Sequence, residues 1–472
     1  MIYVCISICE ILFLAWSYFF VKTYQLDGYD IKTFLKDAVE FKLSFGSKNK
    51  LVFTKRMIRF IICLFIISTA LFSIINIFVH NPFLKALDCL VIYIFVAILI
   101  SICHYVMLPF ENLIKKFYIH KAKVKLSKLS IIKIGITGSY GKTSTKNILC
   151  AMLEKQYKVL ATPKNYNTEM GITKTILNQL DDHDIFIAEM GAKHKGDIET
   201  LTKLVKPKYG IITSIGAMHL DTFKNLKTIE DTKNELPLGL ESDGFMVFNG
   251  DSPSSKRLYD KFTGEKYLTC DEGGYAYAKN INVSADGSSF DLVIDGIVAS
   301  MHTKLLGKFN IDNIVTAAVL AYKLGISIED IKDAVRKLAT TPHRLEIIKN
   351  NYCTILDDAY NSNEIGFTQA LEVLDKFNGV KIVITPGLVE MGSKQSEINF
   401  SLGGKIADVA DYIIIMNEIN KNYLLSGAIS HNFPRDKIFF ASTRKKQKEI
   451  LERLMIKGCV ILFENDLPDN YK

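Results

Sequence analysis

A glycine-rich segment at residues 135–145 has the side chains that hold the phosphates of a nucleotide. Its sequence is Gly-Ile-Thr-Gly-Ser-Tyr-Gly-Lys-Thr-Ser-Thr. Gly138 and Gly141 permit a tight turn in which backbone N–H groups face an anion. Lys142 supplies a positive charge for the β- and γ-phosphates, and the hydroxyl of Thr143 suits Mg²⁺. The spacing, T-G-x-x-G-K-[ST], is a shortened form of the usual phosphate loop and predicts binding of ATP with Mg²⁺.

The elements on either side of this loop suit a phosphate site. An apolar run from Ile131 to Ile136 predicts a buried strand before the loop, and Lys142 to Glu154 predicts a helix after it. The N-terminus of that helix would direct its free N–H groups at the phosphates. A chance lysine in a glycine-rich turn is the alternative, but it does not explain why strand, loop and helix follow in this order.

The rest of the chain predicts an α/β fold with three parts. Residues 129–342 alternate strand-like and helix-like runs, which predicts a phosphate-loop domain with a parallel sheet, and Leu268–Leu306 predicts antiparallel hairpins added to that sheet. Thr340–His343 is interpreted as a hinge. The alternation resumes at 343–472, which predicts a Rossmann-like domain. Residues 1–128 form a different, strongly apolar region.

Three apolar runs in the first region are each about long enough to cross a bilayer. They are residues 1–21, 60–79 and 89–108. Two basic segments flank these runs: Lys22–Arg59 has nine Lys/Arg and Phe110–Lys128 has six Lys. By the positive-inside rule, both basic segments are expected on the cytoplasmic side. The pattern predicts a multi-pass protein of the cytoplasmic membrane with cytoplasmic catalytic domains. A signal peptide and a buried helical hairpin are the alternatives.

Charge and cysteine content limit the partners. The formal net charge is +8, and much of it flanks the apolar runs, so membrane lipid is an expected partner and nucleic acid is not. None of the nine cysteines forms a C-x-x-C pair, so no disulfide or metal framework is expected. The sequence leaves the oligomeric state open.

Further polar motifs follow the phosphate loop in a fixed order. They are Thr162–Gly171, Ala188–Asp197, Gly216–Leu220, Thr232–Glu235, Phe248–Asp251, Gly307–Asn313, His343–Glu346 and Asp357–Asn363. In this order and spacing they resemble the Mur ligase family, and most closely its MurF type, which adds D-alanyl-D-alanine to a muramoyl peptide. The resemblance runs from about Ile131 to the C-terminus. The apolar region stands where a MurF-type enzyme has a small domain that grips the UDP-sugar.

The resemblance implies an ADP-forming amide ligase of the cell envelope that makes an acyl-phosphate. ATP transfers its γ-phosphoryl group to a carboxylate, and an amine then attacks. By resemblance Asn313 contacts the adenine, and Arg344 reaches the γ-phosphate when the domains close. The expected nucleotide-binding residues are Gly138, Ser139, Tyr140, Gly141, Lys142, Thr143, Ser144, Asn310, Asn313, Arg344, Asp358, Tyr360 and Asn361.

The resemblance also implies metal and acceptor residues. Thr143 and Glu189 would hold one Mg²⁺, and His219 resembles a ligand of a second metal. Lys233 matches a lysine that is carbamylated in the family, which matters because a free ammonium would repel Mg²⁺. The catalytic residues expected are Lys142, His219, Lys233 and Arg344. The acceptor-binding loop would contribute Asn165, Asn167 and Thr168.

The acceptor stays open between two substrates. One is the soluble UDP-muramoyl tripeptide of the MurF reaction; the other is a lipid-linked or polymeric envelope carboxylate, which would explain the apolar region. In either case the amine is an amino acid or a dipeptide. A membrane ATPase without ligase activity and an inactive scaffold are the competing classes. No side chain is singled out as the general base for the amine.

Overall fold

The computed structural model describes residues 15–40, 42–43, 50–78, 95–164, 166–218, 220–360 and 362–466. The chain divides into two compact units, one of residues 1–118 with 468–472 and one of residues 119–467. Of the residues predicted to form the site, His219, Asn165 and Asn361 lie outside the described ranges.

The described part of the first unit is helical, and helices and strands alternate through the second unit. The helices are 15–26, Ile31–Val39, Lys55–Phe78, Val96–Ser127, Lys142–Leu153, Glu169–Gln179, Asp197–Val205, Leu220–Phe223, Leu226–Lys233, Glu235–Leu238, Pro253–Lys261, Lys308–Lys323, Ile328–Lys337, Glu364–Asp375, Gln395–Ala407, Lys421–Ser430 and Arg444–Leu454. The strands are β1 Ile132–Thr137, β2 Val159–Ala161, β3 Ile185–Glu189, β4 Tyr209–Ile212, β5 Phe245–Asn249, β6 Glu265–Thr269, β7 Ala276–Ser284, β8 Gly287–Ile294, β9 Ile297–Thr303, β10 Glu346–Lys349, β11 Cys353–Asp358, β12 Lys381–Thr385, β13 Tyr412–Met416, β14 Ile438–Ala441 and β15 Cys459–Glu464.

The first unit has its own small apolar core around Tyr24. The ring of Tyr24 lies 5.6 Å from that of Phe34 and 4.9 Å from that of Phe60, centroid to centroid. Its hydroxyl is 2.6 Å from Nδ1 of His104. Asp30 begins the helix Ile31–Val39 by accepting the free N–H groups of the first turn.

Two described helices are long and apolar enough to cross a membrane. They are Lys55–Ile74, with a mean hydropathy of 2.4, and Val96–Ser127, with 1.6. Two such helices are weak evidence, because core helices of soluble proteins meet the same criterion. Most of the predicted run 1–21 lies outside the described residues, as do residues 79–94. Three transmembrane helices are therefore not confirmed.

The multi-pass membrane localisation predicted from these runs is wrong. Length and apolar composition indicate that a helix is buried, but they do not say whether lipid or protein buries it. In the first unit, Phe60, Leu64 and Ile100 are buried in the unit's own core, although only 28% and 17% of the two apolar windows are buried within the protein. The expected partnership with membrane lipid is not confirmed.

The first sheet has nine strands in the order β2-β3-β1-β4-β5-β6-β7-β8-β9. Its strands pair in parallel from β2 to β7, whereas β7, β8 and β9 pair antiparallel, as the sequence predicted. Both faces of β3 are buried: Ile185 and Ile187 join one apolar cluster, and Phe186 and Ala188 join the other. This arrangement explains the continuous apolar runs of the parallel strands.

The second sheet has six strands in the order β10-β11-β15-β12-β13-β14. All of its neighbours pair in parallel except β10 and β11. The last strand among the described residues, β15, therefore lies in the middle of this sheet, beside β11 and β12. The predicted α/β class with parallel sheets is confirmed.

Candidate functional site

The phosphate loop leaves the sheet beside Glu189. Strands β1 and β3 are parallel neighbours, with Ile136 in register with Glu189. Their carboxyl ends therefore meet at one edge of the sheet, where open α/β folds bind ligands. The helix Lys142–Leu153 starts directly after the loop, at Gly141.

The two loop glycines are required by space and by backbone conformation. Gly141 has φ +78°, and a Cβ there would collide with the amide oxygen of Asn313. Gly138 has φ +152°, and its Cβ would collide with the hydroxyl of Thr213. The amide oxygen of Asn313 also accepts a hydrogen bond from the hydroxyl of Thr145 at 3.1 Å. The loop is thus packed directly against the helix Lys308–Lys323.

The lysine of the loop is folded back onto its carbonyl groups. Nζ of Lys142 donates to the carbonyl oxygens of Gly138 and Ser139, both at 2.8 Å. The pKa of Lys142 is lowered to about 8, chiefly by burial and also by the charge of Arg344, against the opposing charge of Glu189. The ammonium group lies at the turn where a phosphate would bind, and burial makes its charge costly until an anion arrives.

Ser139 and Tyr140 fasten the loop to the segment that follows β4. The hydroxyl of Ser139 donates to the carbonyl of Gly216 at 2.9 Å. The hydroxyl of Tyr140 donates to the carbonyl of Ala217 at 2.5 Å. Their backbone N–H groups both donate to the carbonyl of Ser214, at 2.9 Å and 3.2 Å. Both predicted nucleotide residues therefore use side chain and backbone to fasten the loop to this segment.

Glu189 connects three parts of the site. One carboxylate oxygen accepts from the hydroxyl of Thr143 at 3.0 Å and from the ammonium of Lys146 at 3.0 Å. The other accepts from the side-chain amide of Asn167 at 3.1 Å. Glu189 is 1% exposed, and its contact with Lys146 is fully buried. The structure thus brings together the predicted metal residues Thr143 and Glu189 and the predicted acceptor residue Asn167, and adds Lys146, which the sequence analysis missed.

Lys233 is a second buried lysine near the loop. It ends the helix Leu226–Lys233 and is 3% exposed. Its pKa is lowered to about 7, chiefly by burial and then by the charge of Lys142, with Glu235 and Asp197 opposing. In a large fraction of the molecules, the Lys233 side chain is therefore a neutral amine near neutral pH.

The predicted acceptor loop leads into the helix Glu169–Gln179. The hydroxyl of Thr168 accepts the N–H of Gly171 at 3.3 Å, so Thr168 is the N-cap of that helix. The backbone carbonyl of Asn167 accepts the N–H of Gly191 at 2.9 Å. Thr168 is thus a structural cap, and Asn167 holds the loop against the end of β3.

The residues after the hinge supply a cation over an aromatic ring. The guanidinium carbon of Arg344 lies 4.5 Å from the centroid of Tyr360. Asp358 accepts the N–H of Leu345 at 3.0 Å. Burial raises the pKa of Asp358 to about 6, although the charge of Arg344 opposes the shift. Arg344 therefore lies over the ring of Tyr360 and interacts electrostatically with Asp358.

Two cavities flank Arg344. The smaller, about 90 Å³, is lined by residues of both sheets' domains. The larger, about 300 Å³, lies along the helix Lys142–Leu153 and the hinge. Predicted nucleotide residues line both cavities. Those that line the smaller cavity are Tyr140, Gly141, Ser144, Asn313, Arg344 and Asp358. Those that line the larger cavity are Ser144, Asn310 and Arg344.

Comparison with known proteins gives this arrangement a context. Residues 136–321 match the Mur ligase middle domain. The UDP-N-acetylmuramoyl-tripeptide–D-alanyl-D-alanine ligase of Bacillus subtilis is 30% identical over 347 residues, which cover 73% of this chain and 75% of that one. The corresponding ligase of Buchnera aphidicola (subsp. Baizongia pistaciae) is 28% identical over 335 residues, 68% of this chain and 73% of the relative.

Solved structures agree in fold. The crystal structure of MurF ligase from Thermotoga maritima in complex with ADP has a TM-score of 0.68 at 25% identity, covering 75% of this chain and 80% of that one. MurF from Acinetobacter baumannii has a TM-score of 0.69 at 23% identity, covering 75% and 77%.

The same relatives bear on the membrane prediction corrected above. Their names specify a substrate linked to UDP. Such a highly charged nucleotide conjugate is water-soluble, because moving its charges into lipid would cost too much free energy. Ligases of this kind give no reason to expect a multi-pass membrane protein.

Proposed function

The chain belongs to the Mur ligase family, within it to the MurF type, and from this premise we propose that it joins D-alanyl-D-alanine to UDP-N-acetylmuramoyl-tripeptide. It is an ATP-dependent, ADP-forming amide ligase. The observation that carries the substrate proposal is the 30% identity to the Bacillus subtilis ligase over 75% of that enzyme's length. A lipid-linked or polymeric acceptor is not favoured, because the relatives are named for the UDP-linked tripeptide.

The reaction proceeds in two balanced steps. The acceptor carboxylate attacks the γ-phosphorus of ATP, which forms an acyl-phosphate and releases ADP. The amine of the dipeptide then attacks the acyl carbon, loses a proton and displaces inorganic phosphate. Because phosphoryl transfer depends mainly on positioning and charge neutralisation, the protein's main task is to hold the three reactants and their charges.

Lys142 and Arg344 are proposed to neutralise the phosphates from opposite sides. Lys142 would exchange its bonds to the Gly138 and Ser139 carbonyls for the β- and γ-phosphate oxygens. Arg344 lines both cavities beside the loop, so its guanidinium can follow the γ-phosphoryl group as it moves.

The nucleotide base is proposed to occupy the cavity of about 300 Å³ along the hinge. Asn310 lines that cavity and its side-chain amide is anchored on the carbonyl of Leu306 at 2.8 Å. Asn313, one helical turn further along, lines the cavity of about 90 Å³ with Asp358 and is proposed to bind the nucleotide from there. Tyr360 supports Arg344 through its ring.

The oxygen atoms of Thr143 and Glu189 fit a Mg²⁺ ion. The two atoms lie 3.0 Å apart. Adjacent ligands of an octahedral Mg²⁺, each about 2.1 Å from the ion, are separated by about 3.0 Å. Bound there, Mg²⁺ would neutralise the phosphate charge and orient the γ-phosphoryl group. Glu189 supplies the anionic ligand and Thr143 the neutral one.

Lys233 and His219 are proposed for a second metal region. Lys233 is buried with a pKa lowered to about 7, so its neutral amine is available to take up CO₂ as a carbamate. The resulting anion would remove the repulsion between Lys233 and Lys142. Asn165, Asn167, Thr168 and Asn361 remain proposed contacts of the acceptor and nucleotide loops.

The proposed domain division places its boundaries at residues 128/129 and 342/343. The second boundary is supported by the strands, because β1–β9 precede the hinge and β10–β15 follow it. The compact units divide ten residues before the first boundary, at 118/119.

The test is a reconstituted reaction with the full chain. ADP release should require ATP, UDP-N-acetylmuramoyl-tripeptide and D-alanyl-D-alanine together, and mass spectrometry should detect the UDP-muramoyl pentapeptide. The Lys142→Ala variant is the control for contaminating ligases. ADP release that is indifferent to the dipeptide would contradict the proposal and favour an ATPase.

A further inference from the structure

The ammonium group of Lys146 is enclosed by three oxygen acceptors. Lys146 is 1% exposed and lies one turn after Lys142 in the helix Lys142–Leu153. Its Nζ donates to the carbonyl oxygens of Thr162 and Lys164, both at 2.7 Å, and to a carboxylate oxygen of Glu189 at 3.0 Å. A lysine ammonium has three donors, so its hydrogen-bonding capacity is used completely.

Stability alone does not explain this lysine. A buried ion pair loses so much solvation that well-packed apolar side chains at the same place are often as stable or more stable. The neighbouring positions on the same helix, Ile148 and Leu149, are apolar and fully packed. A charged side chain at position 146 therefore indicates a role in holding the groups it contacts.

Those groups belong to the metal region and to the acceptor loop. Glu189 bonds to Lys146 and Thr143 on one oxygen and to Asn167 on the other. Lys164 has a left-handed backbone with φ +48°, which a non-glycine residue adopts at a cost. The ammonium bond to its carbonyl stabilises that turn, which leads into the segment with Asn167.

We propose that Lys146 is a positioning residue that fixes the Glu189 carboxylate for Mg²⁺ and ties the 162–167 segment to it, so that metal binding and acceptor binding are coupled. The inference rests on the proposed function. The ammonium of Lys146 bonds both to a metal ligand and to the acceptor loop. Binding of the metal should therefore favour the ordered acceptor loop, and binding of the acceptor should raise the affinity for the metal by the same factor.

The experiment compares Lys146→Met, Lys146→Arg and the control Lys158→Met. Lys158 is a mostly exposed lysine that pairs with Asp182 away from the site. Metal affinity is measured by electron paramagnetic resonance with Mn²⁺ and ADP, without acceptor or turnover. The acceptor KM and the Mg²⁺ requirement are measured from ADP release.

Lys146→Met should weaken Mn²⁺ binding by about 10-fold to 100-fold, as losses of groups behind a metal ligand usually do. The acceptor KM should rise with it, while metal-free ADP binding stays close to that of the wild type. Lys158→Met should match the wild type throughout. If Lys146 were merely structural, Lys146→Met would lower the melting temperature but leave the Mn²⁺ affinity and the acceptor KM unchanged. That result would overturn the proposal.

If Lys146→Met does not fold, Lys146→Arg tests the positioning role of Lys146. A planar guanidinium keeps the charge but cannot reproduce three convergent ammonium bonds, so Mn²⁺ affinity should still fall. An unchanged Mn²⁺ affinity in Lys146→Arg would overturn the proposal. If the wild type fails to ligate the UDP-linked tripeptide, the proposed function fails alone, because the Mn²⁺ measurement uses no acceptor.

Discussion

Asp358 and Glu464 lie side by side in register at the carboxyl ends of the parallel strands β11 and β15. Glu464 has no exposed surface, and Asp358 is half-buried. One of its oxygens accepts from the hydroxyl of Ser362, and the other has no hydrogen-bond partner among the described residues. The pKa of Glu464 is raised well above its usual value, by burial and then by the charge of Asp358.

This pair fastens the loop that follows β11. The side-chain oxygen of Asn465 accepts the N–H of Ser362 at 3.2 Å, and the backbone N–H of Asn465 donates to the carbonyl of Asp358 at 3.2 Å. The end of β15 therefore holds both ends of the segment that carries Tyr360. A neutral Glu464 suits this role, because it places no second negative charge beside Asp358.

We predict that Glu464→Gln keeps the fold and the activity near neutral pH, whereas Glu464→Ala lowers both. Glutamine has the shape of the protonated acid, while alanine leaves a cavity and an unpaired Ser362. The check is thermal unfolding of both variants together with the KM for ATP. Equal losses in the two variants would show that Glu464 acts as a carboxylate.

The same pair predicts a pH dependence. Because the folded-state pKa values of Asp358 and Glu464 are raised, with that of Asp358 at about 6, their contribution to stability is greatest in acid. It is lost as the pH rises through the folded-state values. The melting temperature of Glu464→Gln should therefore fall less than that of the wild type as the pH rises above about 4.5, the ordinary pKa of a glutamate, toward the raised folded-state pKa of Glu464. Parallel curves for the two proteins would contradict the prediction.

Lys142→Met is predicted to abolish turnover without destabilising the fold. The pKa of Lys142 is lowered to about 8, so at lower pH the folded state carries a charge that burial penalises. Removing the charge should leave the melting temperature at pH 7 unchanged or higher, and ADP release should fall by at least about 100-fold. Circular dichroism and a coupled ADP assay check both parts. Lys158→Met serves as the exposed control, and a Lys142→Met variant with substantial turnover would remove the phosphate role.

The sequence predicts those features of the site that follow from local pattern. The phosphate loop, the strand that ends at Glu189 and the two alternating α/β regions all come from short motifs and apolar periodicity. The structure adds Lys146 and Glu464, and no sequence pattern reveals them. Lys146 resembles a solvated helix charge, although its position one turn after Lys142 is a usable signal. Glu464 follows an apolar strand, where a carboxylate normally marks the strand's exposed end.

In the N-terminal region, by contrast, the sequence pattern predicted features that are not confirmed. Its apolar runs predicted three membrane spans because hydropathy records only that side chains avoid water. Hydropathy does not distinguish a lipid environment from a core such as that around Tyr24 and Phe34. Strand β2, of three residues, is too short to show any periodicity and could not be predicted from apolar pattern.

Lys233 is predicted to make activity depend on CO₂. Its pKa, lowered to about 7, gives the neutral amine that forms a carbamate. The unmodified lysine penalises the folded state at pH values below about 7, and that penalty disappears as the pH rises toward the unfolded-state value. Bicarbonate should therefore raise the melting temperature of the wild type and leave that of Lys233→Ala unchanged.

The carbamate can be tested directly. Lys233→Ala should lose ADP release, and short carboxylic acids should restore part of it by replacing the carbamate. Carbon-13 NMR with labelled bicarbonate should give a carbamate signal in the wild type only. A fully active Lys233→Ala enzyme would exclude this role.

Arg344→Ala is predicted to lower turnover by about 1,000-fold or more, as loss of an arginine that stabilises a transferring phosphoryl group does. ATP binding should change far less, because the contact strengthens only as charge develops on the γ-phosphoryl group. Arg344→Lys should restore little, since an ammonium lacks the planar fork. Tyr360→Phe is the matched control: it keeps the aromatic ring over which Arg344 lies at 4.5 Å and should retain activity. Isothermal calorimetry for ATP and steady-state kinetics separate binding from turnover. Equal losses in the two measurements for Arg344→Ala would show that Arg344 only binds the nucleotide.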